Sequence, residues 1–191
     1  MAAALVAAPN AVHAETSTTF ARERGGFGMS LAPNGDIAAA NYFANTVTVF
    51  RNNQELITWG GFAHPHDVAF DSSGNLFVAQ FGRGAGASRV ARIPAGYSEI
   101  DYSWSTGYVG VGGIAAAPDG SVWVADSDGH QLYVVSQQGV RSTVEGNWPW
   151  IHGLRFDSSG RLFITVVWQD GGEILKRDAS GTVSVFAAGL N

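Results

Sequence analysis

A chain of 191 residues fits one ordinary domain, and 46% hydrophobic against 14% charged residues supplies a core and excludes general disorder. The net charge of −5, with 11 Lys and Arg scattered along the chain, argues against a nucleic-acid partner. The absence of cysteine excludes disulfides, thiol nucleophiles and Cys-ligated zinc.

In chain order, the first element is residues 1–14, "MAAALVAAPNAVHA". This short Ala-rich run ends in the small-x-small pattern Val12-His13-Ala14, the form of a signal-peptidase site before Glu15, without a basic stretch ahead of it. The expectation is a signal-peptide remnant followed by a single partial domain over 15–191, in a periplasmic or extracellular protein; a disordered Ala-rich tail is the alternative. No segment approaches the length of a transmembrane helix.

From there the chain reads as short runs of Val, Ile, Phe, Tyr and Trp separated by glycine, with no amphipathic run of helical length, which predicts an all-β protein. Four segments align on one turn: "MSLAPNGDIAAAN" (29–41), "VAFDSSGNLFVAQ" (68–80), "IAAAPDGSVWVAD" (114–126) and "LRFDSSGRLFITV" (154–166). Their glycines, Gly35, Gly74, Gly120 and Gly160, stand 39, 46 and 40 residues apart. A third strand follows in each unit at "TVTVF" (46–50), "RVARI" (89–93), "QLYVV" (131–135) and "EILKR" (173–177). A fourth follows at "ELITW" (55–59), "YSEIDY" (97–102), "VRSTV" (140–144) and "TVSVF" (182–186). Four short strands in a unit of about forty residues is the pattern of a β-propeller blade, and about four blades are present.

The stretch "VGGIAAAPDGSVWVADSDGHQLYVVSQQG" (111–139) resembles an NHL repeat, with its Gly-Ile-Ala opening, Gly turn, aromatic-Val-Ala-Asp strand and Gly-His step. The layout is also similar to the streptogramin lyases and to the senescence-marker-protein (SMP-30)/gluconolactonase propellers. The likeness runs from about residue 17 to the C-terminus and implies architecture more than activity, since many functions share this fold. Six-bladed members of these families need roughly 250 residues at this period. The expectation is therefore part of a six-bladed ring, whose open faces would favour self-association. The strand-like "TSTTFARERGGFGMSLAP" (16–33), matching "VSVFAAGLN" (183–191), is read as a lone fourth strand of a closing blade.

Blade topology sorts the residues onto two rims. The Gly turns lie on one, where Asp71, Asp119 and Asp157 are read as turn formers. The other rim gathers the start of each innermost strand and the end of each second strand. His66 and His152 share one repeat position there, and two imidazoles at a channel mouth suit acid–base work near neutral pH, or serve as polar channel residues. Trp150, Trp168 and Arg83 are candidate ligand-binding residues of the rim and its loops. Asn41 and Asp126 end second strands and are candidate ligands for one divalent cation, Mg or Ca, as the gluconolactonase resemblance implies, with a loop cap the alternative for Asp126. The streptogramin lyases are known for rim histidines in a Pro-His context used with a divalent cation, which His66 matches in "PHDV" and His152 partly in "IHGL". No G-x-S-x-G elbow, P-loop, HExxH or EF-hand loop occurs. The resulting expectation is a propeller that binds a small molecule or a protein segment at its channel mouth. The alternative is a metal-assisted lyase or lactone hydrolase centred on the two histidines.

Overall fold

The structure, a computed structural model, describes residues 26–82, 86–146, 148–168 and 171–190. The expected leader over 1–14 and the lone strand expected before Gly26 lie outside the described residues. Within them are sixteen strands and no helix, hence none long and apolar enough to cross a membrane. Blade 1 comprises β1 (Gly26–Leu31), β2 (Ile37–Asn41), β3 (Thr46–Arg51) and β4 (Gln54–Trp59). Blade 2 comprises β5 (Pro65–Phe70), β6 (Leu76–Gln80), β7 (Ser88–Ile93) and β8 (Asp101–Tyr108). Blade 3 holds β9 (Val111–Ala116), β10 (Val122–Asp126), β11 (Gln131–Val135) and β12 (Arg141–Gly146). Blade 4 holds β13 (Trp150–Phe156), β14 (Leu162–Trp168), β15 (Gly171–Arg177) and β16 (Val183–Leu190). Each blade is a four-stranded antiparallel sheet paired in chain order, and the first strands pack on one another around the axis. The all-β propeller reading holds.

Alternation along the strands explains why blades stack. On β14, Leu162, Ile164 and Val166 point into an apolar cluster shared with Ala115, Ala125 and Leu132 of blade 3. The whole of β6 is buried, because its odd and even residues meet different neighbours. Leu76 and Val78 pack against Ala38, Val47 and Val49 of blade 1, whereas Phe77 and Ala79 pack against Ile114, Val122 and Val124 of blade 3. Each fully buried Leu or Ile there contributes roughly 1.5–3 kcal/mol of transfer free energy. Packing runs from blade 1 to 2, 2 to 3 and 3 to 4, and Met29 and Leu31 on β1 and Val185 and Phe186 on β16 stay exposed.

The repeated turn behaves as the sequence predicts. Gly35, Gly74, Gly120 and Gly160 have φ of 88°, 83°, 83° and 75°, a region costly for any residue with a Cβ. Asp71 accepts the N–H groups of Ser73 and Asn75, and Asp157 those of Ser159 and Arg161. Asp119 caps its turn through Ser121. These carboxylates make turns.

One strand departs from expectation. The fourth strand of blade 2 runs Asp101–Tyr108, where 97–102 was predicted. Tyr97 is a turn residue with φ 63°, and its hydroxyl donates across the blade interface to Asp36 at 2.7 Å. The chain from 97 to 100 is thereby committed to a connection. Asp36 also accepts from Arg51 at 2.7 and 2.8 Å and from Asn34 at 3.0 Å. The Arg51 bonds, aided by those of Tyr97 and Asn34, outweigh burial and hold its carboxyl down at about 2. Burial, then the bond to Asp36, pushes the Tyr97 phenol up to about 12. Blades 1 and 2 are clasped at the turn rim.

Candidate functional site

At the opposite rim, one backbone device recurs in all four blades. The first strand slips register against the second between Gly26 and Met29, between Pro65 and Asp67, at Gly112, and between Ile151 and Gly153. A bulge at this point re-aims the extra residue toward the axis. The bulges place His66, Gly112 and His152 around the channel.

The glycines of blade 3 let the histidines of blades 2 and 4 approach. A Cβ on Gly112 would collide with the Ser127 side chain, and one on Gly113 would lie 2.5 Å from the His152 carbonyl oxygen. Ser127 in turn donates its hydroxyl proton to the Ile151 carbonyl. His66 Nδ1 lies 2.7 Å from the Gly112 carbonyl oxygen. A carbonyl only accepts, so Nδ1 carries the proton and Nε2 holds a lone pair when the ring is neutral. Burial lowers the His66 pKa from 6.5, against the raising effect of the Gly112 bond, so the ring is neutral at pH 7. The nearby His152 imidazole lowers it further. His152 itself is exposed and meets the Trp150 ring edge-on at 6.0 Å.

Aromatic side chains surround this pair. The rings of Phe27, Tyr42 and Phe81 lie 4.9, 6.1 and 6.1 Å from His66. With Phe43 and Trp150 they line a cup of about 410 Å³, whose polar margin includes Ser127 and Asp128. Trp150 Nε1 donates to Asp128 at 3.1 Å, which fixes the indole at the cup's edge. Below, a second recess of about 300 Å³ shares Phe27, His66, Gly112 and His152 with the cup and reaches Asp67 and Arg155. The two volumes adjoin at these four shared residues. A larger groove of about 510 Å³ lies on the turn rim beside Arg51 and Tyr97, but those groups are already turned onto Asp36.

The other sequence-predicted residues have different surroundings. Asp126 is buried and accepts the N–H of Val109 at 2.9 Å and of Gly110 at 2.6 Å, capping the approach to β9. Asn41 accepts from the Ala44 N–H at 3.2 Å, and Gln80, the matching residue of blade 2, from the Ala63 N–H at 3.0 Å. The ends of the second strands thus brace the rim loops. Trp168 donates to Glu173 at 2.9 Å and does not line the cup. His130 Nδ1 bonds the Trp148 carbonyl at 2.9 Å, a structural bond as its Gly-His step suggests. Arg83 lies outside the described residues. Among the described residues no group of three His, Asp or Glu is poised to hold a metal ion, and the Asp126 oxygens are taken up by backbone donors. The described residues do not fit the divalent cation, and no chemical step is routed through one.

Phe81 and the pair Tyr42–Phe43 were overlooked by sequence reasoning, although each directly follows a second-strand end, Gln80 or Asn41, already placed on this rim. The pairing of Asp67 with Arg155, 88 residues later, carried no sequence signal.

Neither a protein-family model nor a curated protein matches the sequence. Solved structures do match the fold. Virginiamycin B lyase from Staphylococcus aureus aligns with a TM-score of 0.65 at 15% identity, over 87% of this chain and 56% of the lyase. A gluconolactonase from Xanthomonas campestris aligns at 0.67 with 14% identity, over 84% of this chain and 61% of that one. An auxiliary nutrient binding protein from Bacteroides thetaiotaomicron gives 0.68 at 12% identity, over 87% and 42%. The chain spans little more than half the length of the lyase. At such identities the likeness concerns the fold, which is that of an NHL- and SMP-30/gluconolactonase-like β-propeller.

Proposed function

We propose that this propeller binds a small, largely apolar molecule with a ring system in the aromatic cup at its channel mouth. The carrying observation is the convergence of aromatic rings from three blades on one recess, with the acceptor Nε2 of a neutral His66 at its base. A cup of about 410 Å³ is of small-ligand size, and stacking on rings combines apolar contact with shape selection. His66 Nε2 accepts a hydrogen bond from the ligand, and the Asp128-anchored Trp150 closes one side. That a nutrient binding protein shares the fold supports a binding role.

A second reading follows from the fixed tautomer of His66. A neutral imidazole with a free Nε2 is a general base, and an exposed His152 across blade 3 returns a proton when charged. In an elimination His66 withdraws the proton from the carbon next to the one bearing the departing oxygen, a carbon–carbon double bond forms as the carbon–oxygen bond breaks, and His152 protonates that oxygen. In lactone hydrolysis His66 withdraws the proton from a water that adds to the carbonyl carbon, the ring carbon–oxygen bond breaks, and His152 protonates the departing oxygen. Either way the pair ends with one proton moved between rings. That is chemistry of the lyase or lactone-hydrolase class, and it needs both histidines.

Titrating the protein with the neutral fluorophore N-phenyl-1-naphthylamine tests the cup. Phe81→Ala is expected to weaken binding about tenfold, in line with the loss of one ring contact and its buried area, while Leu56→Ala in the turn-rim groove leaves it unchanged. Equal affinity of wild type and Phe81→Ala would remove the proposal. Lactone turnover abolished by His66→Gln with dye binding retained would establish the second reading.

A further inference from the structure

Below the histidines, Asp67 of blade 2 and Arg155 of blade 4 meet across the channel. Arg155 donates from Nη1 to Asp67 Oδ2 at 3.1 Å and from Nη2 to Oδ1 at 3.3 Å. The Asp67 oxygens also accept the N–H of Val68 at 2.9 Å and of Ile114 at 3.2 Å. The carboxylate is therefore fully engaged and its side chain only 8% exposed, whereas the Arg155 side chain is 57% exposed. Arg155 Nη1 reaches the Ile114 and Leu154 carbonyls as well, which fixes the plane of the guanidinium. Among the described residues, Nε and the second Nη2 proton have no partner, and Arg155 lines the recess that continues from the cup. The ion pair thus has its satisfied carboxylate buried in the protein and its exposed cation on the wall of the recess.

We infer that Arg155 is an anion anchor, and that the ligand of the cup carries a carboxylate, sulfonate or comparable anionic group that passes the histidines to meet it. This rests on the cup reading of the site. An anion that presents two oxygens side by side, as a carboxylate or a sulfonate does, suits the geometry, because a guanidinium whose plane is held by other acceptors offers its remaining N–H groups in a fixed fork. Asp67 is the positioning residue: it orients Arg155 and is too buried to compete for the ligand. The selected ligand is accordingly amphipathic, with an apolar ring at the rim and a negative end toward the axis.

Two dyes with the same aromatic body separate the claims: N-phenyl-1-naphthylamine, which is neutral, and 8-anilinonaphthalene-1-sulfonate, which is anionic. Arg155→Met is expected to weaken the sulfonate dye about tenfold while changing the neutral dye less than about twofold. Raising salt should weaken only the sulfonate dye, and only in the wild type. If Arg155→Met fails to fold, Arg155→Lys is read instead, with the same sign and a smaller effect, since the charge stays and the fork is lost. An equal response of both dyes, or none in the sulfonate dye, overturns the anchor. If the neutral dye ignores Phe81→Ala, the cup reading falls, and the Arg155 effect on the sulfonate still decides the anchor by itself.

Discussion

Asp36 shows how one buried carboxylate joins two blades. It is fully buried and takes donors from Arg51 and Asn34 of its own blade and from Tyr97 of the next. Replacing it with Ala is expected to cost about 2–3 kcal/mol, since a charged acceptor is lost and three donors are left without it. The pH dependence has a definite sign. The folded carboxyl titrates at about 2 and the free one at 3.8, so the stability it adds is complete above pH 3.8 and disappears as pH falls toward 2. Urea unfolding at pH 7 and at pH 3 should show a smaller acid-induced loss in Asp36→Asn than in wild type. Of the residues that matter, His66 and His152 are legible in sequence because a strict repeat exposes any side chain breaking the pattern of its position. Arg155 and Asp67 are not, because nothing local marks a pairing across the channel.

At the level of the strand, the recurring bulge is what turns repeat positions into a site. Without it, a period of two would send His66 and Asp67 to opposite faces of a regular strand. The bulge instead supplies one extra residue per blade at the rim, and blade 3 fills that position with glycine. Gly113→Ala places a Cβ against the His152 carbonyl oxygen at 2.5 Å, a backbone atom that cannot yield without moving β13. The expected cost is about 1–3 kcal/mol, measured by thermal or urea unfolding, accompanied by weaker dye binding as the two histidines are forced apart. Strand order and turns were readable from spacing, because glycine and Asx turns have fixed chemistry. The bulges were not, because a single extra residue leaves the alternation of a short strand ambiguous, nor was the late start of β8, which is set by a contact between blades, Tyr97 reaching Asp36.

On the scale of the whole molecule, the fold separates support from recognition. Apolar clusters between successive blades and Asx turns at one rim hold the sheets together, and the opposite rim is left for aromatic and imidazole side chains. Blades 2 and 4 each contribute a histidine, blade 3 contributes the carbonyl that sets the tautomer, and blade 1 adds Phe27 and Tyr42. A site assembled from four repeats depends on their mutual packing, so occupancy of the cup should be felt at His66 and not at His130, which bonds the Trp148 carbonyl and does not line the cup. The most direct test is ring ¹⁵N–¹H NMR of the histidines at pH 7, with and without N-phenyl-1-naphthylamine. A neutral His66 protonated at Nδ1, whose Nε2 signal moves on adding the dye while His130 stays still, is the predicted result. A His66 protonated at Nε2, or one indifferent to the dye, would contradict the account.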